Sequence, residues 1–569
     1  MKKHNYLKSS VTSASLDFYP RPTLVRDSLI NYLNLNGSWD CEIKKGEDVD
    51  INTLSYSKQI MVPYPIESTL SGLEYDLGDD EVICYHKHFS YSFNKEKTIL
   101  HIDASDNITK VYLNGTFIGE HIGGYLPFSF DVTSVINEEN DLAVLVTDKT
   151  DTNFPYGKQS KKNGGIWYTK TSGIWKSVWL ESVSNDYIGK LKIDTDIDNK
   201  TLKVNFFKEG FAHLDIYFDG LLIKTIEEYE SGSQISFNDI HLWSPEKPNL
   251  YDIVINYNGD EVKSYFAFRK ISIVSNNGFK VFALNNKPYF MHGLLDQGYY
   301  HDGILTPISL DVMVKELERV KEYGFNTLRK HIKVEPEIWY YLCDKMGIIV
   351  WQDFVNSFKY NFFFDSALPT IGFKGGTIKP RCYKRWAKDF FINHSIETID
   401  YLYNHPSIVL WTIFNEGWGQ FETKKVYNLI KPHDDTRIFD SASGWFNEHK
   451  DREVDSLHVY FKPIRIRKKH KRPLIISEFG GYALKVSGHT YYDKTFGYKV
   501  FDSKEEYNKA LLALYERDII GNMKKGVCAA IYTQVSDVEE EINGIFTYDR
   551  EVVKLDKEIA LKIKEAIKY

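Results

Sequence analysis

The most constraining stretch of this chain is the run of branched and aromatic residues from Ile408 to Phe414, which ends on Asn415, Glu416 and Gly417. A strand of that composition is buried on both faces, as in a parallel sheet. It has no reason to carry an amide and a carboxylate into the interior unless its end is where chemistry happens. Barrels of parallel strands keep their reactive groups at the C-terminal strand ends. An acidic residue opening a helix after an ordinary strand is the alternative for this stretch alone. The run from Pro473 to Gly481 repeats the design, delivering Glu478 ahead of two glycines. Two carboxylates brought to the same end of one sheet are the minimum equipment for glycoside hydrolysis, one as proton donor and the other as nucleophile or base.

The rest of the chain supplies the setting. At 569 residues it is too long for one core and divides into about three domains. From Leu16 to Val183 short alternating runs separated by turn signals predict an all-β jelly roll or sandwich. The Asn114-Gly115 pair within it predicts a tight hairpin, because both residues accept positive φ. A second set of strands from about 184 to 270 suits an immunoglobulin-like sandwich. After Ile271 strands and helices alternate, giving eight strand–helix units that suit a (β/α)8 TIM barrel over 271–569. The expected domains are therefore 1–183, 184–270 and 271–569, with Glu416 ending strand four and Glu478 ending strand seven.

Composition narrows the function. A net charge of -7 implies no general attraction to polyanions, and the basic run Arg465 to Arg472 reads as a solvated loop or helix, so no nucleic-acid partner is expected. Aromatics at 15% of the chain, 39 of them tyrosine, suit sugar-binding faces as well as β cores. Five scattered cysteines without CxxC spacing fit a reduced compartment and argue against a disulfide frame or a zinc site. The N-terminus is basic but lacks an apolar run after it, and no stretch of eighteen apolar residues occurs. A cytoplasmic protein without a leader or membrane span is the expectation.

On these motifs the chain resembles glycoside hydrolase family 2, which includes β-galactosidases, β-glucuronidases and β-mannosidases. Tyr19-Pro-Arg-Pro22, Leu35-Asn-Gly-Ser-Trp-Asp40 and Thr171-Ser-Gly-Ile-Trp175 look like its sugar-binding jelly roll. Leu242-Trp-Ser-Pro245 and Asn249-Leu-Tyr251 look like its immunoglobulin-like domain, and Leu328-Arg-Lys-His331, Phe414-Asn-Glu416 and Ser477-Glu-Phe-Gly480 like its barrel. The resemblance implies that Glu416 is the acid/base and Glu478 the nucleophile. The acid must be protonated when sugar binds, through burial or the neighbouring carboxylate, while Arg329 would keep the nucleophile ionised. Asn415 would bond the sugar 2-hydroxyl. Tyr460 would orient Glu478, while His331 and His458 would touch sugar hydroxyls. Asp296 and Asp353, ending strands one and three, could bind further hydroxyls, and Trp418, Trp445 and Phe354 could stack on the ring or pack the rim. His331 and Glu335 are too few for a metal site, so neither metal nor cofactor is expected.

The departures bear on substrate. β-Glucuronidases carry an Asn-x-Lys motif near strand eight that grips the sugar carboxylate. Here Asn543 has no lysine after it and Glu539, Glu540 and Glu541 precede it, which is expected to repel a uronate. The stretch Tyr532 to Asp537 lacks the tryptophan that many relatives place in the pocket. The extra C-terminal domains of the largest β-galactosidases, and their magnesium site, are also expected to be missing. The resulting expectation is a retaining exo-β-glycosidase acting on a neutral hexoside, most readily a β-galactoside. A β-mannosidase, β-glucuronidase, arabinopyranosidase or non-catalytic carbohydrate-binding protein is the alternative. Carbohydrate is the expected partner, with homo-oligomers possible.

Overall fold

The computed structural model describes residues 18–27, 31–46, 49–93, 95–368, 383–446, 450–466 and 469–568. The N-terminal part packs a six-stranded antiparallel sheet against a four-stranded one. The hairpin between Ile108–Leu113 and Thr116–Ile122 turns at Asn114 and Gly115, with φ of 52° and 78°, the pair of positive angles that only such residues take without strain. The next strands, Lys192–Asp196 to Asp260–Phe266, form sheets of three and four strands around their own apolar core.

The C-terminal part is an eight-stranded parallel barrel. Its strands are Met291–Asp296, Thr327–Lys330, Ile349–Asp353, Ile408–Thr412, Ile438–Asp440, Asp455–Val459, Leu474–Gly480 and Val527–Thr533. They pair in the order five, four, three, two, one, eight, seven, six, which leaves a single seam between five and six. Helices follow strands one, two, three, four, seven and eight. Among the described residues the connections after five and six carry none, so the regular strand–helix alternation is interrupted there. The described part of the basic run, residues 465–466 and 469–472, is loop; residues 467–468 lie outside the described residues.

Two features send the chemistry to one end. The strands Ile271–Asn276 and Phe279–Leu284 bring Val281, Phe282 and Leu284 against Met291, Ile349, Val409, Ile475 and Cys528, which plugs the barrel where its strands begin. At the other end the N-terminal domain is continuous with the barrel core through Tyr125, Tyr168 and Trp175. Burial of these rings, at roughly 25 cal/mol per Å² of apolar surface, fixes one domain upon the other. The cysteines Cys41, Cys84, Cys343 and Cys528 are buried free thiols, while Cys382 lies outside the described residues. No helix among the described residues is long and apolar enough to cross a membrane.

Candidate active site

Arg329, at the end of strand two, organises the barrel mouth. Its side chain is fully buried, and its Nη1 donates to Glu478 Oε1 at 2.9 Å and to the Ser477 carbonyl at 3.0 Å. Nε donates to Asp353 at 3.0 Å, and Nη2 to Asn415 Oδ1 at 2.8 Å. One guanidinium thus fixes groups from strands three, four and seven, which its planar fork of donors suits and a lysine could not match.

Glu478 is held ionised. Burial alone would raise its carboxyl, but His458, Arg329, His331 and the Tyr460 hydroxyl, which donates to Oε2, outweigh it and bring it down to about 2. Glu416 sits in a more open position, with its side chain 16% exposed against 5% for Glu478. Its backbone is in the left-handed region, φ 54°, and Gly417 follows at 74°, so the chain swings the carboxylate inward just after strand four. His458 Nδ1 lies 2.7 Å from Glu416 Oε1, and its Nε2 lies 2.9 Å from Ser443 Oγ and 3.6 Å from Glu478 Oε1. One oxygen of each glutamate and a ring nitrogen of His458 lie within 4.8 Å of one another. Carboxylates brought this close suit direct attack by one and proton transfer by the other. The same three atoms have cation-binding spacing, but Arg329 already supplies positive charge at the shared Glu478 oxygen.

The other expected residues divide. His331 joins the cluster through Asp353, with Nδ1 2.7 Å from Oδ2. Burial lowers the His331 imidazole, and Arg329 with His331 holds Asp353 low against its own burial. Tyr460 stacks on Tyr498, centroids 4.2 Å apart. Trp445 presents its ring 5.6 Å from His458, and its indole N–H has no partner among the described residues. Trp418 is buried at the rim, donating to the Phe358 carbonyl at 2.7 Å and packing edge-on against Trp167. Asp296 instead accepts from Lys330 at 2.6 Å and the Gly298 amide at 2.8 Å, within a buried ion cluster that includes Glu335. Its carboxylate is already occupied there, with neither glutamate as partner. Phe354 is core, stacked on Trp411.

Sequence reasoning missed two groups. Ser443, Ser456 and Ser477 hydroxyls link His458 to strand seven, with Ser477 next to Glu478 as the only available signal. The second group is the N-terminal domain itself, whose Gly-Gly-Ile-Trp-Tyr stretch at 164–168 carried aromatic character but no address. The acidic triplet also differs from expectation. Glu539 accepts from Asn163 and the Thr169 amide, Glu540 from the Gly165 amide and Lys494, and Glu541 from Tyr168 and Asn543. These carboxylates dock the N-terminal domain and are satisfied where they stand, so the repulsion argument against a uronate loses its footing.

Comparison with known proteins agrees with this architecture. Residues 33–183 match the model "Glycosyl hydrolases family 2, sugar binding domain", 186–269 "Glycosyl hydrolases family 2" and 276–565 "Glycosyl hydrolases family 2, TIM barrel domain". The chain is 26% identical over 444 residues to a beta-galactosidase of Thermoanaerobacterium thermosulfurigenes, covering 70% of this chain and 57% of that protein. Among solved structures, a beta-glucuronidase of Ruminococcus gnavus superposes with a TM-score of 0.75 at 18% identity, covering 98% of this chain and 99% of that one. A beta-galacturonidase of Eisenbergiella tayi gives 0.68 at 19%, covering 97% and 100%. The chain spans between 36% and 73% of the length of the first three curated relatives it matches.

Proposed function

The chain belongs to glycosyl hydrolases family 2, and from that premise we propose that it is a retaining exo-β-glycosidase working through a covalent glycosyl-enzyme. The observation that carries this reading is the pairing of an ionised, cation-held Glu478 with the more open Glu416, one oxygen of each within 4.8 Å. Glu478 attacks the anomeric carbon while Glu416 gives its proton to the departing glycosidic oxygen. Glu416, now a carboxylate, takes a proton from water as that water's oxygen displaces Glu478, which restores both groups. His458 lies against both carboxylates and steadies Glu416 through each change of charge. Because Arg329 occupies Asn415 Oδ1, the Asn415 NH₂ is left to donate to the sugar, where the 2-hydroxyl acidifies in the transition state.

For the sugar, the missing lysine after Asn543 removes one partner for a carboxylate and, taken by itself, suits a neutral hexoside such as a β-galactoside. A specific observation favours a second reading, a β-uronide: Lys158 stands at the mouth without an ion pair among the described residues. A panel of nitrophenyl β-glycosides with the purified full chain tests the function, with the product anomer followed by NMR. Release of the β-anomer first is expected. Initial release of the α-anomer would establish inversion and remove the nucleophile role from Glu478.

A further inference from the structure

We propose that Lys158, carried by the N-terminal domain, is a specificity-determining residue of the barrel site, its ammonium receiving a carboxylate borne on the sugar ring. The proposal rests on the glycosidase reading above and deepens it by naming the substrate class as β-uronides.

The segment between the strands Glu139–Thr147 and Val178–Val183 leaves the jelly roll and lies across the barrel mouth. On one side Tyr156 and Gly157 donate their amides to the Asn356 carbonyl at 3.0 and 3.4 Å, and the Tyr156 hydroxyl donates to the Phe358 carbonyl at 3.0 Å. A Cβ on Gly157 would come within 3.1 Å of the carbonyl oxygen of Ile332, the residue after His331. On the other side the Tyr168 hydroxyl donates to Glu541 at 2.5 Å, and the Thr169 amide to Glu539 at 2.7 Å. The Tyr168 amide in turn donates to the Lys158 carbonyl at 3.0 Å. Lys158 is thereby fixed between the end of strand two and the loop after strand eight.

Its surroundings leave it incomplete. The residue is half-buried, and its ammonium lies 5.9 Å from the centre of the Trp167 ring with no carboxylate at ion-pair distance among the described residues. Four other lysines of this part of the barrel do have one: Lys330 and Lys333 share Glu335, Lys494 pairs with Glu540, and Lys554 with Asp537. The carboxylates around the mouth have donors of their own. Glu541 has Tyr168 and Asn543, Asp353 has Arg329 and His331, and Glu478 has Arg329 and Tyr460. The charge of Lys158 is felt at both His331 and Glu541, on the two sides of the mouth. A half-shielded ammonium facing only an indole has lost hydration without gaining a partner. An anion that enters the mouth supplies that partner, and also balances a site already crowded with carboxylates. Trp167 gives the apolar face against which a ring can lie while its carboxylate reaches the ammonium.

The test compares nitrophenyl β-D-glucuronide and β-D-galacturonide with the β-D-galactoside and its 6-sulfate, using the full chain and the variants Lys158→Gln and Lys158→Arg. Uronides are expected to be preferred. Lys158→Gln is expected to lower the uronide-to-neutral ratio of kcat/KM about 10²-fold, mostly through KM, with partial recovery in Lys158→Arg. A neutral substrate preferred by the natural chain, or a ratio that Lys158→Gln leaves unmoved, overturns the proposal. Preference for the sulfate overturns the choice of carboxylate. If no glycoside is hydrolysed, the glycosidase reading fails by itself. Titration calorimetry with free glucuronate and galacturonate then decides Lys158: binding that is lost in Lys158→Gln upholds the assignment, and no binding removes it.

Discussion

Glu416 and Glu478 are the same residue type sixty-two positions apart, and in the proposed mechanism their surroundings divide the labour. With Arg329 and Tyr460 on it, Glu478 is the carboxylate that stays charged; Glu416, facing His458 and partly open, is the one placed to exchange a proton. Replacement by alanine should therefore give opposite outcomes. Glu478→Ala should lose on the order of 10⁴-fold or more in turnover, and added azide should yield a glycosyl azide of inverted configuration. Glu416→Ala should still form the glycosyl-enzyme from a dinitrophenyl glycoside, stall at hydrolysis, and give the retained azide. Swapped stereochemistry would exchange the two roles. Arg329 provides the pH test. Glu478 sits below its ordinary value, so it stays charged down to about pH 2, and its stabilising contribution is full above the ordinary carboxylate value and is lost as pH falls from there to about 2. Arg329→Lys breaks the fork of bonds and lets the Glu478 carboxyl rise, so the acid limb of kcat/KM should move up by about one pH unit. An unmoved limb would show that Arg329 serves packing alone.

At the scale of elements, the turn after strand four matters more than the strand. A Cβ at Gly417 would lie 2.3 Å from the Phe446 ring, and φ of 74° is costly for any other residue. Gly417→Ala should cost about 1–2 kcal/mol in stability. Because the same backbone aims Glu416, it should lower kcat at least about tenfold, since misplacement by about 1 Å is enough for larger losses. Thermal unfolding and kinetics on one preparation separate the two effects. Lost stability with unchanged kcat would mean that the turn does not aim the carboxylate. The run Ile408 to Phe414 was readable as a buried strand because its residues fit no other place. The left-handed backbone at Glu416 was not, since nothing in Asn-Glu-Gly specifies which of the three residues turns.

At the scale of the molecule, buried ions tie the domains together. Arg26 donates to Asp260 through Nε and Nη2, each at 2.7 Å, and to Glu181 through Nη1 at 2.5 Å, which joins the immunoglobulin-like sheet to the jelly roll. Burial would raise Glu181, yet Arg21, His101 and Arg26 together hold its carboxyl well below the usual range. Arg26→Ala leaves the buried Asp260 without its cation and loosens the hold on Glu181, which keeps Arg21 and His101, and should cost about 3 kcal/mol at neutral pH. The sign follows from the depressed Glu181: its stabilisation is full above about pH 4.3 and declines below it. The deficit of the variant should thus shrink as the pH falls. Unfolding midpoints from pH 7 to pH 3 check this, and a deficit that does not change with pH would assign Arg26 a purely steric part.

The sequence by itself determined the three-part order, the barrel strands to within a few residues, and the pair of glutamates. Those features follow from local composition, because a strand buried on both faces admits few residue types and a polar ending stands out against it. It could also place Arg329, His458 and Tyr460 at strand ends, where period and length fix position. Only the tertiary structure decided what each group touches. Asp296 and Asp353 read alike along the chain, yet one pairs with Lys330 and the other with Arg329 and His331. Glu539, Glu540 and Glu541 read as a repelling patch, yet each is met by donors from a segment some 370 residues earlier. Charge in a folded protein is set by partners brought from a distance, and no local pattern in the chain records which partners those will be.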